Sequence, residues 1–165
     1  MKTLYLLRHA KSSRDNFEFS DFDRSLNDRG YADAHLVSKH LSKKNIRFDV
    51  LISSPAIRAI STALIFAGNL DYPADKIQMR HKLYDSTIHH YLTCISEIGD
   101  RDSVLLVGHN ETITETAQKL SVKSVNELKT CSIICFQFDI NSWKIIFNSK
   151  GKLIFQVNPD SINEG

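Results

Sequence analysis

A four-residue apolar run, Leu4-Tyr5-Leu6-Leu7, breaks off at Arg8-His9-Ala10-Lys11-Ser12-Ser13. A run this short, bounded by polar residues, reads as a buried strand that ends in a loop. In an open α/β sheet, ligands sit outside the carboxyl ends of the strands, which is where Arg8 and His9 fall.

The rest of the chain repeats this alternation. Asp15 to Ser25 is a polar loop with Phe17, Phe19 and Phe22 as anchors, and Asn27 caps a helix carrying Tyr31, Ala34, Val37 and Leu41 at helical spacing. Phe48 to Ile52 is a second strand ending at Ser53-Ser54-Pro55, where Ser54 can cap and Pro55 suits the first helical position. The helix that follows shows Ile57, Ile60 and Leu64 on one face. Ile77-Gln78-Met79 forms a short third strand. Ser86 or Thr87 then opens a helix closed by Gly99. Ser103 to Val107 is the clearest buried strand and ends at Gly108-His109-Asn110, with Asn110 as the cap of a helix bearing Ile113, Ala117 and Leu120. From Cys131 onward the pattern turns to a β meander: Ile133 to Phe136, Trp143 to Phe147, and Leu153 to Phe155. Alternating β and α units with a β meander predict a three-layer α/β/α sandwich around a mixed, mostly parallel sheet.

Length predicts one domain over residues 1–165, and 42% apolar with 24% charged residues is ordinary for a soluble globular chain. A formal charge of +2 excludes a general nucleic-acid binder, and no stretch is long and apolar enough to predict membrane insertion. The apolar run interrupted by Arg8 is too short for a secretory signal core. Three cysteines, an odd count, suit a reducing, cytoplasmic setting. Cys131 and Cys135, on one predicted strand, stand ~13 Å apart, too far for a disulfide, and with Cys94 they read as small core side chains.

Arg8-His9, Ser53-Ser54-Pro55 with Arg58, and Gly108-His109 each follow a strand. If those strands are neighbours, two histidines and two arginines meet at one edge, a set suited to phosphoryl transfer through a phosphohistidine. Neutral imidazole is nucleophilic at neutral pH, and nearby guanidiniums oppose its protonation. Guanidinium forks match the oxygens of the transferring group, and the helix start near Pro55 adds backbone donors. Arg58 lies in the first turn of a helix, where a cation opposes the dipole, and so points to an anionic ligand. His35 and His40 are five apart, and His81, His89 and His90 lack ligand spacing. All five read as surface residues, and no metal is expected.

Leu7-Arg8-His9-Ala10-Lys11-Ser12 resembles the Arg-His-Gly signature of the histidine phosphatase superfamily, whose fold is phosphoglycerate-mutase-like. The stretches 23–30, 53–59 and 108–110 are similar to its later motifs, in order. Within the superfamily the chain looks most like the SixA-type phosphohistidine phosphatases. The resemblance implies His9 as the phosphorylated nucleophile, with Arg8, Arg58 and His109 around the phosphate. It implies Arg24 as a further phosphate or substrate contact, and Ser12 near the phosphate. Ala10 stands where the family usually has Gly, a mild change that SixA-like members share. Larger members carry a helical lid insert with an acidic proton donor before the second histidine motif. Here 69–102 predicts only one short strand and one helix, so no large lid insert is expected. Asp85 is the candidate donor left in that interval, although an acid favoured at a helix start is its structural reading.

Protonated imidazole leaves phosphorus far more readily than an alkoxide, so the lack of a clear acid favours phosphohistidine on a signalling or phosphotransfer protein as substrate. The expected ligands are such a protein and, in the pocket, phosphate or sulfate. A phosphatase or mutase for a small phosphoester is the alternative. A non-catalytic phosphate-binding module is the alternative of another class.

Overall fold

The computed structural model describes residues 1–14 and 20–163. Phe17 and Phe19, expected as loop anchors, lie outside the described residues. The strands are β1 (Lys2–Arg8), β2 (Val50–Ser53), β3 (Gln78–Met79), β4 (Ser103–Gly108), β5 (Ile133–Phe138) and β6 (Lys152–Val157). They form one sheet in the order β3-β2-β4-β1-β5-β6. β3, β2, β4 and β1 run parallel, and β5 and β6 are antiparallel additions at one side.

The helices are α1 (Asp28–Lys43), α2 (Ile57–Asn69), α3 (Ile88–Ser96), α4 (Thr112–Leu120) and a short α5 (Pro159–Asn163) that the sequence pattern did not announce. Successive strand residues point to opposite faces, so β1 sends Leu4 and Leu6 into one core and Tyr5 and Leu7 into the other. Tyr91 and Ile95 of α3 and Ile113 and Leu120 of α4 fill the first core, together with Phe136, Phe138 and Trp143. Ala34 and Val37 of α1 and Ala59, Ala63 and Phe66 of α2 fill the second. The three-layer sandwich with its mixed, mostly parallel sheet is thus observed, and burial on both faces explains why β1 and β4 read as unbroken apolar runs. Between α2 and β4 lie β3, α3 and two 3-10 turns, with no large helical insert.

Several local expectations are corrected. α2 turns a different face inward: Ala59, Thr62, Ala63, Phe66 and Ala67 are buried, while Ile57 and Leu64 are 38% and 46% exposed. Small residues let α2 lie close to the sheet, and Thr62 fixes its rotation by accepting from the Ala10 amide at 3.0 Å. Ser54 and Pro55 precede the helix, whose cap is Ala56. Asn110 does not cap α4, which begins after Glu111. Its side chain donates to Glu127 and to the Leu128 carbonyl and accepts from Thr114, tying the 127–128 segment to α4. Trp143–Asn148 is a 3-10 helix rather than a strand. Trp143 and Ile146 are buried while Ile145 is exposed, a spacing of three that suits a 3-10 turn and not the alternation of a strand, and Ser142 caps it by accepting from the Lys144 amide. Cys131 precedes β5, with a positive φ of 58°. All three cysteines are buried and free.

Caps elsewhere follow the sequence reading. Asn27 accepts from the Gly30 amide at 2.8 Å to start α1, Thr87 accepts from the His90 amide to start α3, and Gly99 follows α3 with a φ of 79°. No helix among the described residues is long and apolar enough to cross a membrane.

Candidate active site

β2, β4 and β1 lie side by side, in the register Arg8 opposite Gly108 and Ser53 opposite Val107. The ladder continues one residue past the strands, since the His9 amide donates to the Gly108 carbonyl and the Ser54 amide to the Val107 carbonyl. Backbone pairing therefore carries Arg8-His9, Ser54 and His109 to a common edge.

His9 is 7% exposed, and its Nδ1 lies 2.7 Å from the Ala10 carbonyl. A carbonyl only accepts, so Nδ1 carries the proton and a neutral ring leaves its lone pair on Nε2. The Arg58 Nε–H donates to that Nε2 at 3.3 Å. Burial, with His109, Arg58 and Arg8 adding repulsion, lowers the His9 pKa to about 3. The His109 ring lies 5.0 Å from that of His9, centroid to centroid. His109 pairs through Nε2 with the Ser54 hydroxyl at 2.7 Å, and its amide donates to the Tyr91 hydroxyl at 2.9 Å. Burial, then Arg58, lowers its pKa to about 4. Its buried Nδ1 has no hydrogen-bond partner among the described residues.

Arg58 is 5% exposed at the start of α2, reached from the inward face that Thr62 fixes. Arg8 donates through Nη1 to the Leu128 carbonyl at 2.9 Å, and its buried Nε is unpartnered among the described residues. Arg24 donates to Ser12 Oγ at 3.0 Å and to the Ser13 carbonyl, so Ser12 acts on the site by holding Arg24. Four predicted groups, His9, His109, Arg8 and Arg58, line one cavity of about 1080 Å³ with Arg24 and Ser12 at its side.

Asp85 lines the same cavity at an exposed position, with a left-handed backbone (φ 48°). The carboxylate among the cations is instead Asp21, which the sequence reading missed. Its side chain accepts from Arg24 Nη2 at 2.8 Å, Arg58 Nη2 at 3.0 Å and the Tyr84 hydroxyl at 2.7 Å. Its carbonyl accepts from Arg58 Nη1 at 2.5 Å. Burial raises its pKa, but the hydrogen bonds from Tyr84, Arg24 and Arg58 outweigh it and hold the carboxyl well below the usual range. Tyr84 stands edge-on to His109 and to Phe22, with ring centroids 5.7 and 5.0 Å apart. Its hydroxyl pKa is raised by burial and by the bond to Asp21. Ser54, grouped with the strand-end residues but read only as a helix cap, supports His109, and Thr62 and Tyr91 were missed as site supports. Only the Asp21-x-x-Arg24 spacing, a short-range ion pair in a turn, could have pointed to Asp21.

No group of three or more His, Cys, Asp or Glu suited to a metal occurs among the described residues. The arrangement offers a neutral, desolvated imidazole beside three guanidiniums, which can attack a tetrahedral oxyanion and stabilise its charge.

Residues 4–83 match the family model of the histidine phosphatase superfamily (branch 1). The chain is 32% identical over 173 residues to the uncharacterized protein At3g52155, chloroplastic, of Arabidopsis thaliana, covering 97% of this chain and 79% of that one. The fold is similar to that of the protein histidine phosphatase SixA complexed with tungstate. The TM-score is 0.80 at 19% identity, over 97% of this chain and 99% of that one. It is also similar to a structure assigned as SixA from Agrobacterium tumefaciens. There the TM-score is 0.82 at 25% identity, over 96% and 98% of the two chains.

Proposed function

This chain belongs to the histidine phosphatase superfamily, and from that premise we propose that residues 1–165 act as one phosphatase domain working through a phosphohistidine on His9. The observation that carries the proposal is the His9 tautomer: with Nδ1 bonded to a carbonyl, the lone pair on Nε2 lies among the guanidiniums. Nε2 forms a bond to phosphorus as the bond to the leaving group breaks, and Arg8, Arg58 and Arg24 take up the charge on the phosphoryl oxygens. Water then attacks the phosphoenzyme and returns His9 to its neutral form, with His109 and the arginines stabilising both transition states. The tungstate complex of SixA, an oxyanion bound to the same fold, supports a phosphate-like ligand here.

The substrate best suited to this site is phosphohistidine on a signalling or phosphotransfer protein. Asp21, the carboxylate bonded to Arg24, Arg58 and Tyr84, is held ionised by them and has no proton to give at neutral pH. An alkyl ester needs such a proton, whereas protonated imidazole leaves without one. Likeness to SixA in fold favours the same substrate class. The test begins with a labile phosphodonor and mass spectrometry: acid-labile phosphate is expected on His9 and absent from His9→Ala, whose activity is lost. No phosphate on either protein, together with no turnover by the unaltered chain, would leave only a phosphate-binding module. A panel of phosphohistidine proteins and small phosphoesters follows, and comparable turnover of alkyl esters would overturn the substrate assignment.

A further inference from the structure

Asp21 does to the arginines what a phosphoryl group would do. It presents two oxygens and a negative charge to the forks of Arg24 and Arg58, and Tyr84 supplies a third donor. Held in this way, Arg58 lays its Nε–H on the lone pair of His9 Nε2. That lone pair cannot form a bond to phosphorus while it accepts from Arg58.

The two partners differ in how firmly they are seated. The side chain of Arg58 is 7% exposed and that of Asp21 is 55% exposed. Asp21 belongs to a 3-10 turn, 21–23, that contributes no buried residue, so the carboxylate can move outward at little packing cost. Arg58, fixed through α2, cannot follow it.

We infer that Asp21 is a positioning residue that acts as an internal counter-anion: it holds Arg24 and Arg58, and the incoming phosphoryl group must displace it. The exchange turns the Arg58 fork from Asp21 to the phosphoryl oxygens and draws Nε–H off His9, so the nucleophile is released when its target arrives. This rests on the phosphatase reading above. A purely structural Asp21, serving only to organise the arginines, predicts the opposite response to its removal.

The experiment is calorimetric titration of the full chain with inorganic phosphate at neutral pH, with a thermal melt of each variant as the fold check. Asp21→Asn keeps the shape and removes the charge, and is expected to bind phosphate on the order of tenfold more tightly. KM is expected to fall with it. Asp21→Ala is expected to follow in the same direction, and Tyr84→Phe, which removes one holder of the carboxylate, by a smaller factor. Asp21→Glu restores the competing charge and is expected to return affinity toward that of the unaltered chain. Unchanged or weaker phosphate binding in Asp21→Asn overturns the inference and leaves the phosphatase reading intact. Failure of the unaltered chain and every variant to bind phosphate overturns both.

Discussion

His9 and His109 are neutral well below the pH at which an exposed imidazole gains its proton. Burial lowers their pKa values to about 3 and about 4, so each becomes protonated only on acidification past those values. After correction for substrate ionisation, kcat/KM is therefore expected to stay flat from pH 8 to about pH 5, and an acid limb near 6.5 would show that the rings titrate as in solution. Arg58 Nε–H donates directly to the His9 ring. Arg58→Ala is expected to lower kcat by roughly 10²–10³, the scale of losing one transition-state donor, and a steady-state assay at saturating substrate measures it.

The elements place these groups through a few close approaches. Gly108 ends β4 against Tyr91 of α3, and a Cβ there would fall 2.4 Å from the Tyr91 hydroxyl that receives the His109 amide. Tyr91 is fully buried and cannot retreat, so Gly108→Ala is expected to destabilise the fold by about 1–3 kcal/mol. It should also reduce activity by shifting His109, and urea denaturation with a parallel rate assay separates the two effects. How much of this was legible varies with the element. Strands that break into Arg8-His9 and Gly108-His109 announce both their burial and their site residues. α2 misleads because Ile57, Ile60 and Leu64 are larger and more apolar than Ala59, Thr62, Ala63 and Ala67, which are buried instead, and the demand that Arg58 face inward belongs to tertiary structure. The Trp143–Asn148 segment is apolar enough for either period, and contacts with Phe138 and Arg101 decide it. Asp21 has no periodicity to read, since its partners Arg58 and Tyr84 are 37 and 63 residues away.

The molecule divides its labour between the two ends of the sheet. The candidate site residues gather at the carboxyl ends of β1, β2 and β4. The opposite end is closed by Lys2, which donates to the Asp100 and Arg101 carbonyls and to Asp102, and by Trp143, whose indole donates to Arg101. Trp143→Ala is expected to cost about 3–5 kcal/mol of stability, measured by denaturant unfolding, while kcat stays within a few-fold of the unaltered chain. β1, meanwhile, sits between β4 and β5 with both cores pressed against it, and His9, the proposed nucleophile, follows it directly. A strand in that place is among the last to exchange its amide hydrogens with solvent. Heat should then silence the enzyme only when the entire chain melts, with the inactivation and unfolding curves superimposed.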